Sequence, residues 1–516
     1  MKYAKSPLFK KIALKGLGLG VLFLSLTSQA ATKVEESYPL KFGEVETVVQ
    51  QLLLTGDNFV SRVFYIPAAI EKESKMTATQ GDAEANAEAV IHPVKDTQNA
   101  PVIFIPDIAR GGIVTDDLKG YLRDFSTYIP AILGSRDIYI YPGRVVEGAY
   151  IHNCGLIVSN WVSEFTNWSS TKQGVSRCIE QLKQFNFDMS AFSTEKIAKD
   201  LAIFIKDEQL QKPIIWALGG QYDIANKLAA DMGKDLGGLV LDNPDISNRI
   251  DGQNAFSEYL ERVDALALDK DRGWTSDKKP SELLNAMITS SNAGEVYEGT
   301  VSDIGYNEDI NRIFPVNGDV LNYYMLAKVD QPQFLADLAA GDEKAIYRQF
   351  GPFSLESYGA VSSFPERYRS CEDTNSLDIS IAPENLKETF ERDMKRQQAI
   401  CEALGVSTAA KKAAKNINVP TSIIVSGMNP YYSSTSTQAW IKENYKNATL
   451  VNIIDGSLGT PECTGQPLAN MVKDIAQNFN DGKFSNKEFQ CGWHFETSSE
   501  VQAQLESQAQ QPQATE

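Results

Sequence analysis

The position with the clearest chemical meaning in the sequence is a glycine turn whose central residue is a glutamine. The turn reads Gly-Gly-Gln-Tyr-Asp over 219–223 and follows an apolar run that ends at Leu218. In a Gly-x-Ser-x-Gly turn, the glycines let a sharply bent backbone present a serine hydroxyl beside amide N–H groups that hold an oxyanion. Here the serine is replaced by Gln221, and an amide cannot be deprotonated into an acyl-accepting nucleophile. The turn therefore has the pattern of a nucleophile elbow without the nucleophile.

Three histidines are the candidates for a general base, and two of them neighbour cysteines. His92 lies in an early β region, His152 follows a later predicted loop, and His494 follows the last cysteine. A base must lie within hydrogen-bond reach of the proton it takes, so each is more often a surface or core-edge histidine than a catalyst. The Cys491/His494 and His152/Cys154 pairs lack companions at metal-ligand spacing. We therefore predict neither a metal site nor a cofactor.

Short apolar runs alternate with helical patterns around this turn. Runs without internal alternation, separated by helices, indicate a parallel sheet that is covered on both faces. The predicted strands are 62–67, 89–93, 101–106, 136–141, 213–218, 237–241, 420–426 and 448–454. The predicted helices between them are 116–133, 194–208, 222–234, 435–446 and 466–480. The expected fold class is α/β, with a doubly wound, mostly parallel sheet.

The alternation of strands and helices stops after Asn243 and resumes at Val419. An insertion after one strand of a parallel sheet lies at the carboxyl edge, where such folds bind ligands, so we expect a helical lid over 244–415. Its predicted helices include 258–268, 283–287, 333–338 and 385–404. The remaining predicted units are a core at 31–243 with a polar loop at 72–100, its C-terminal part at 416–495, and a disordered tail at 496–516.

The first thirty residues are typical of an export signal. They combine a start with five lysines, an apolar run from Leu17 to Leu26, and a Ser-Gln-Ala cleavage site that ends at Ala30. The apolar run is shorter than the roughly 18 residues that a membrane-spanning helix needs. We therefore expect cleavage after Ala30 and a bacterial periplasmic or secreted protein without stable membrane insertion.

The net charge limits the possible binding partners, and the cysteine content indicates the cellular compartment. The chain of 516 residues carries a net charge of −18, which opposes nucleic-acid binding. Its six cysteines all follow Ala30, and an even number in an exported chain favours disulfides. Six cysteines allow fifteen connectivities. The preferred scheme closes only short loops and pairs Cys154 with Cys178, Cys371 with Cys401, and Cys463 with Cys491.

Several segments together resemble the secreted tripeptidyl-aminopeptidase-like branch of the α/β-hydrolases, relatives of proline iminopeptidase. The resemblance covers roughly residues 45–495. The segments that carry it are Arg136–Tyr141, the Cys154 and Cys178 positions, Gly219–Tyr222, Leu239–Asp242, Val425–Pro430 and Asp455–Thr460. The resemblance implies an α/β-hydrolase fold with a helical lid insertion.

The same resemblance places three residues at the positions of a catalytic triad. They are Gln221 for the serine, Asn429 for the acid and Leu458 for the histidine. Glutamine supplies no nucleophile, asparagine supplies no charge to steady an imidazolium, and leucine transfers no proton. The family's His-Gly-Gly-Pro-Gly loop is also altered, because residues 106–112 read Pro-Asp-Ile-Ala-Arg-Gly-Gly. The resemblance thus implies a degenerate catalytic triad.

The function that these residues favour is binding without catalysis. Gln221 and Tyr222 would lie at the floor of a pocket for a peptide, a small ligand or an envelope protein. Two alternatives stay open: an active exported peptidase or esterase with an atypical catalytic set, because a fold does not determine a function, and a structural role in the envelope.

Overall fold

The computed structural model describes a little under three fifths of the chain. The described residues are 31–42, 45–56, 59–67, 99–106, 136–144, 168–184, 188–246, 252–294, 297–300, 313–316, 331–342, 345, 364–373, 383–406, 416–430, 432–456 and 465–497. The predicted export signal, strand 89–93, helix 116–133, Leu458 and the tail beyond 497 lie outside them. These assignments stay predictions.

Apart from the predicted strand 89–93, all predicted strands of the sheet are present among the described residues. The strands of the described residues are β1 (Ala31–Phe42), β2 (Val45–Gly56), β3 (Phe59–Ile66), β4 (Val102–Ile105), β5 (Ile138–Ile140), β6 (Ile214–Leu218), β7 (Gly238–Asp242), β8 (Tyr297–Thr300), β9 (Ile313–Val316), β10 (Thr421–Ser426), β11 (Ala448–Ile453) and β12 (Lys487–Phe489). The sequence analysis did not predict β1, β2, β8, β9 or β12. These strands lack the long, unbroken apolar runs that revealed the central ones.

The helices of the described residues belong partly to the sheet unit and partly to the insertion. They are α1 (Trp168–Lys183), α2 (Thr194–Asp207), α3 (Tyr222–Met232), α4 (Gly252–Leu268), α5 (Pro280–Asn292), α6 (Gln331–Ala339), α7 (Phe364–Asp373), α8 (Lys387–Leu404), α9 (Ser434–Asn444) and α10 (Gly465–Asp481). Among these, no helix is both long enough and apolar enough to cross a membrane.

Ten strands of the described chain form one sheet, in the order β1-β2-β3-β5-β4-β6-β7-β10-β11-β12. The seven strands from β5 to β12 in this order pair in parallel. The first three strands are antiparallel to their neighbours, and β3 joins this part to β5. The predicted doubly wound, mostly parallel α/β sheet is therefore confirmed.

Side chains of the central strands alternate between two apolar layers. In β4, Ile103 and Ile105 belong to one buried cluster, whereas Val102 and Phe104 belong to the other. Helices α2, α3 and α9 contribute to the first cluster, and α10 contributes to the second. Because both faces are covered, the strands read as continuous apolar runs rather than as alternating ones.

The insertion separates two strands that are neighbours in the sheet. β7 and β10 pair in parallel with Leu239 opposite Thr421, yet the chain between them forms α4 to α8 and the β8–β9 hairpin. The insertion has its own buried apolar cluster around Tyr259, Leu284 and Phe334. It thus folds as a packed layer where the lid is predicted, while the boundaries 244 and 415 stay predictions.

Disulfides join parts of this architecture. Cys371 of α7 is bonded to Cys401 of α8, with Cα atoms 5.3 Å apart, and both side chains are buried against α1. Cys178 and Cys491 are disulfide-bonded as well. Their partners lie outside the described residues, so the pairs with Cys154 and Cys463 stay predictions.

Candidate functional site

The elbow lies where β6 passes into α3. All five residues of β6 are buried, residues 219–221 form a single 3₁₀ turn, and α3 begins at Tyr222. The left-handed backbone that the bend requires occurs at Gly219, with φ +54°, where glycine has no Cβ to clash. Gln221 has an ordinary right-handed conformation, with φ −78° and ψ −6°. The left-handed residue of this turn therefore lies two residues before Gln221, the position where the elbow pattern predicts a nucleophile.

The side chains of the turn are covered rather than open. Gln221 is only 1% exposed, and Tyr222 is 3% exposed. The Tyr222 ring meets the Trp440 ring edge-on, at 6.2 Å between centroids, within the core cluster of α3 and α9. The contacts of Tyr222 thus favour a packing role, and a binding role for it stays a prediction.

A guanidinium group from the insertion reaches Gln221. Arg369 of α7 donates a hydrogen bond from Nη1 to Oε1 of Gln221. The sequence analysis missed both α7 and this arginine, because the segment Phe-Pro-Glu-Arg-Tyr-Arg-Ser-Cys-Glu-Asp carries almost no apolar stripe. The cysteine within it was the one available signal that the segment packs against the rest of the fold.

Two asparagines lie at the carboxyl ends of the next two strands of the sheet. Asn243 follows β7 with φ +48°, and Asn429 follows β10. Nδ2 of Asn429 donates to Oδ1 of Asn243 at 3.3 Å, and the same oxygen accepts from the Ser426 backbone N–H at 3.4 Å. The side chain of Asn429, which the resemblance predicts at the position of the acid, therefore donates a hydrogen bond to a neighbouring amide oxygen.

A second arginine of the insertion holds the loop that carries Asn429. Arg262 of α4 donates Nε to the Gly427 carbonyl, and Nη2 to the carbonyls of Tyr432 at 3.0 Å and Asn429 at 3.4 Å. Its guanidinium also lies 5.3 Å from the centre of the Tyr432 ring. Burial lowers the pKa of Arg262, although Glu258 at 3.5 Å opposes this effect.

The loop after β11, which would carry the histidine, is described only as far as Gly456. Asp455 within it is fully buried and accepts backbone N–H bonds from Cys491 at 2.5 Å, Gly492 at 3.0 Å and Trp493 at 3.1 Å. Nη1 of Arg272 lies 2.6 Å from the same carboxylate. Asp455 therefore ties the C-terminal segment and the insertion to the end of β11.

The remaining predicted candidates are exposed or lie outside the described residues. His494 is exposed, with Nδ1 3.1 Å from the Asp271 carbonyl oxygen. His92, His152 and Leu458 are not among the described residues. In the described ranges, no three His, Cys, Asp or Glu side chains cluster as a metal site would require.

Gln221, Asn243 and Asn429, which follow β6, β7 and β10, thus all carry amide side chains. Arg369 bonds the side chain of Gln221, and Arg262 bonds the backbone carbonyl of Asn429. Amides donate and accept hydrogen bonds and guanidinium groups only donate them, but neither attacks a carbonyl carbon nor takes a proton at neutral pH. The arrangement can recognise polar groups and hold elements together. The three positions themselves offer no acyl-transfer chemistry.

The doubly wound sheet, the strand–turn–helix elbow and the insertion between β7 and β10 define an α/β-hydrolase fold. Wild-type Cfl2 from Burkholderia cenocepacia is similar at 10% identity over 85% of this chain and 99% of that chain, with a TM-score of 0.34. An epoxide hydrolase of Bacillus megaterium is similar at 12% identity over 74% and 94%, with a TM-score of 0.31. An α/β hydrolase from Novosphingobium aromaticivorans is similar at 9% identity over 83% and 98%, with a TM-score of 0.34.

No protein-family model matches the chain, and no curated protein matches it either. Because the sequence identities and TM-scores of the solved structures are this low, no activity is taken from them for this protein.

Proposed function

We propose that the protein is an exported α/β-hydrolase-fold protein that is not a catalyst and that acts by binding a peptide, a small molecule or an envelope protein. The observation that carries this proposal is the buried amide of Gln221, which accepts a hydrogen bond from Arg369 where a nucleophile would stand. The resemblance to serine aminopeptidases then concerns the scaffold rather than the reaction.

Acyl transfer by this fold needs a nucleophile, a base that takes its proton, and an acid that orients the base. Gln221 cannot become an anion, and Arg369 beside it carries only donors, so it cannot serve as the base. Asn429 is neutral and donates its amide hydrogen to Asn243. Ser426, the last residue of β10, carries a hydroxyl beside this loop, but it is fully buried.

Export is supported by sequence and by cysteine chemistry. The five lysines, the apolar run and the Ser-Gln-Ala site of residues 1–30 are typical of a signal that directs a chain across the bacterial inner membrane. The bonded pair Cys371–Cys401 and the bonded Cys178 and Cys491 favour an oxidising compartment, where disulfides persist.

The catalytic half of the proposal is tested on purified mature protein. We expect no covalent labelling by a serine-directed fluorophosphonate probe, and no turnover of aminoacyl or short-chain ester substrates, beside an active serine hydrolase as positive control. Labelling that a single substitution abolishes would overturn the proposal and establish the alternative of an active enzyme with an atypical catalytic set.

The variant Gln221→Ser makes the test sharper. A new serine at this position still lacks a base and a charged orienting residue, so we expect no hydrolysis above the wild-type background. Turnover by Gln221→Ser would mean that a functional base and oxyanion site exist nearby, and the assignment of Asn429 and Leu458 would then be wrong.

The binding half is tested by native mass spectrometry of protein that is isolated from the periplasm without denaturation. We expect a population heavier than the mature chain by the mass of a bound peptide, small molecule or protein. A sample that carries no added mass, and that enriches no envelope protein when it is tagged, would remove the binding role and leave a structural one.

A further inference from the structure

We propose that Gln221 is the docking point of the lid, where Arg369 holds α7 on the elbow. This inference rests on the proposed absence of catalysis, because a position that must attack a substrate cannot also be closed by a hydrogen bond to the lid. It assigns a role to the residue that stands in place of the nucleophile.

The burial of Gln221 is the first step of the argument. With 1% of its surface exposed, its amide oxygen cannot be satisfied by bulk water, and an unpaired buried acceptor is unfavourable. Arg369 satisfies this oxygen from 148 residues further along the chain. The contact therefore forms only when the insertion is folded onto the sheet unit.

Other contacts of α7 show which of its faces meets the sheet unit. Glu372 follows Arg369 by three residues, so both side chains lie on one face of the helix. Its Oε2 accepts the backbone N–H of Thr194, at 3.1 Å, at the first residue of α2. Carboxylates are favoured at helix N-termini, so this is a second polar anchor of α7 on the core. Between the two anchors, Cys371 bonds α7 to Cys401 of α8.

A second lid helix, α4, contacts the loop 427–432, which contains Asn429. Glu258 of α4 accepts from the Ser433 hydroxyl at 3.0 Å and from the Ser434 backbone N–H at 2.8 Å. Arg262, one turn further on, donates to three carbonyls of the 427–432 loop. The insertion thus contacts two of the predicted triad positions through arginines. Arg369 bonds Gln221, and Arg262 bonds the backbone of Asn429.

The consequence is that the lid covers the elbow as a fixed layer. With the Arg369 bond formed, only 1% of Gln221 is exposed, so a ligand must displace this contact to reach the amide. Any ligand that leaves the Arg369 contact intact must therefore bind outside the elbow.

The test is a double-mutant cycle that is read by hydrogen–deuterium exchange of the backbone amides of 364–373 in the full mature protein. The variants are Gln221→Leu, Arg369→Met and the double substitution. Losing one charge-assisted hydrogen bond should speed the exchange of α7 by about ten- to a hundred-fold in each single variant. The double variant should exchange no faster than the faster single variant, because both substitutions remove the same bond.

Two further variants separate docking from a general loss of stability. Gln221→Glu keeps an acceptor oxygen opposite the guanidinium, so we expect wild-type protection of α7. Arg392→Met removes an exposed arginine of α8, paired with Glu388 at 3.4 Å, and should leave the exchange of 364–373 unchanged. If a leucine at 221 prevents folding, Gln221→Asn, which is shorter by one methylene, replaces it in the cycle.

The docking inference is wrong if Gln221→Leu leaves the protection of α7 at the wild-type level. It is also wrong if the rate factors of the two single variants multiply in the double variant. Fluorophosphonate labelling with an intact coupling between Gln221 and Arg369 would overturn the proposed function and leave docking in place. If the probe does not label the protein and Gln221 and Arg369 are not coupled, the docking inference is overturned and the proposed function stands.

Discussion

Asp455 is the residue whose replacement should damage the fold most clearly without touching the elbow. Its carboxylate is fully buried at the end of β11 and receives four donors. Oδ1 accepts the Cys491 N–H, whereas Oδ2 accepts from Gly492, Trp493 and Arg272. The variant Asp455→Ala removes all four acceptor contacts and leaves the donors in place.

The expected loss of unfolding free energy depends on which hydrogen-bond acceptors each donor retains in Asp455→Ala. Removing one partner of a buried ion pair costs about 3–5 kcal/mol. Arg272 retains the Trp493 carbonyl at 2.5 Å and Asp269 at 3.4 Å, which favours the lower part of this range. The three backbone N–H groups add roughly 1–3 kcal/mol if water does not replace the carboxylate. We expect the free energy of unfolding to fall by about 4 kcal/mol.

The assay is differential scanning calorimetry of the mature protein with its disulfides intact. The unfolding entropy of a chain of this length is about 1 kcal/mol/K, so the loss corresponds to a Tm about 4 °C lower. Asp455→Asn keeps one acceptor oxygen and places an NH₂ group among donors, so we expect about half of this shift. The control is Asp231→Ala, which removes an exposed i,i+4 pair with Lys227 and should change Tm by less than about 1 °C. A Tm of Asp455→Ala within the range of this control would refute the reasoning.

Three further predictions concern the lid, a disulfide and pH. Arg262→Lys should lower the free energy of unfolding by about 2 kcal/mol, measured by urea denaturation, because an ammonium group cannot span the three carbonyls that the guanidinium bridges; an unchanged midpoint would contradict this. Replacing both Cys371 and Cys401 by alanine should cost about 3–4 kcal/mol in the same assay, since the bond closes a loop with a sequence separation of 30; a loss below about 1 kcal/mol would show that the packing of the two helices suffices. The hydrogen bond from the Ser190 hydroxyl lowers the pKa of Asp188, so the ionised carboxylate stabilises the fold above about pH 4 and this contribution disappears as the pH falls further. Because Asp188 is largely exposed, Asp188→Asn should lower Tm only slightly at pH 7 and by less at pH 3; an equal difference at both pH values would contradict the assignment.

The central strands could be predicted from the sequence because burial on both faces leaves a continuous apolar run. The predicted strand at 213–218 corresponds to β6 at Ile214–Leu218, and the predicted strand at 420–426 corresponds to β10 at Thr421–Ser426. By contrast, β1 reads Ala-Thr-Lys-Val-Glu-Glu-Ser-Tyr-Pro-Leu-Lys-Phe and pairs antiparallel with β2 at the edge of the sheet. Its polar composition gave no comparable signal.

For the same reason, the helix that carries Arg369 could not be predicted from the sequence. α7 is strongly polar, and its ends are not marked by a long apolar periodicity, so the sequence analysis did not find it. Its position depends on contacts with Cys401, Thr194 and Gln221, which lie in three distant parts of the chain. Contacts of this kind leave no local pattern in a single sequence.

The sequence by itself determined which chemistry the elbow lacks, because a carboxamide has no group that its surroundings could activate as a nucleophile or a base. A glutamine at 221 and an asparagine at 429 exclude a serine-type mechanism at those positions wherever the chain places them. Only the tertiary structure decided what these residues meet instead. The arginines 262 and 369 reach them through long-range packing of the insertion on the sheet, and the burial of Gln221 makes its bond to Arg369 necessary.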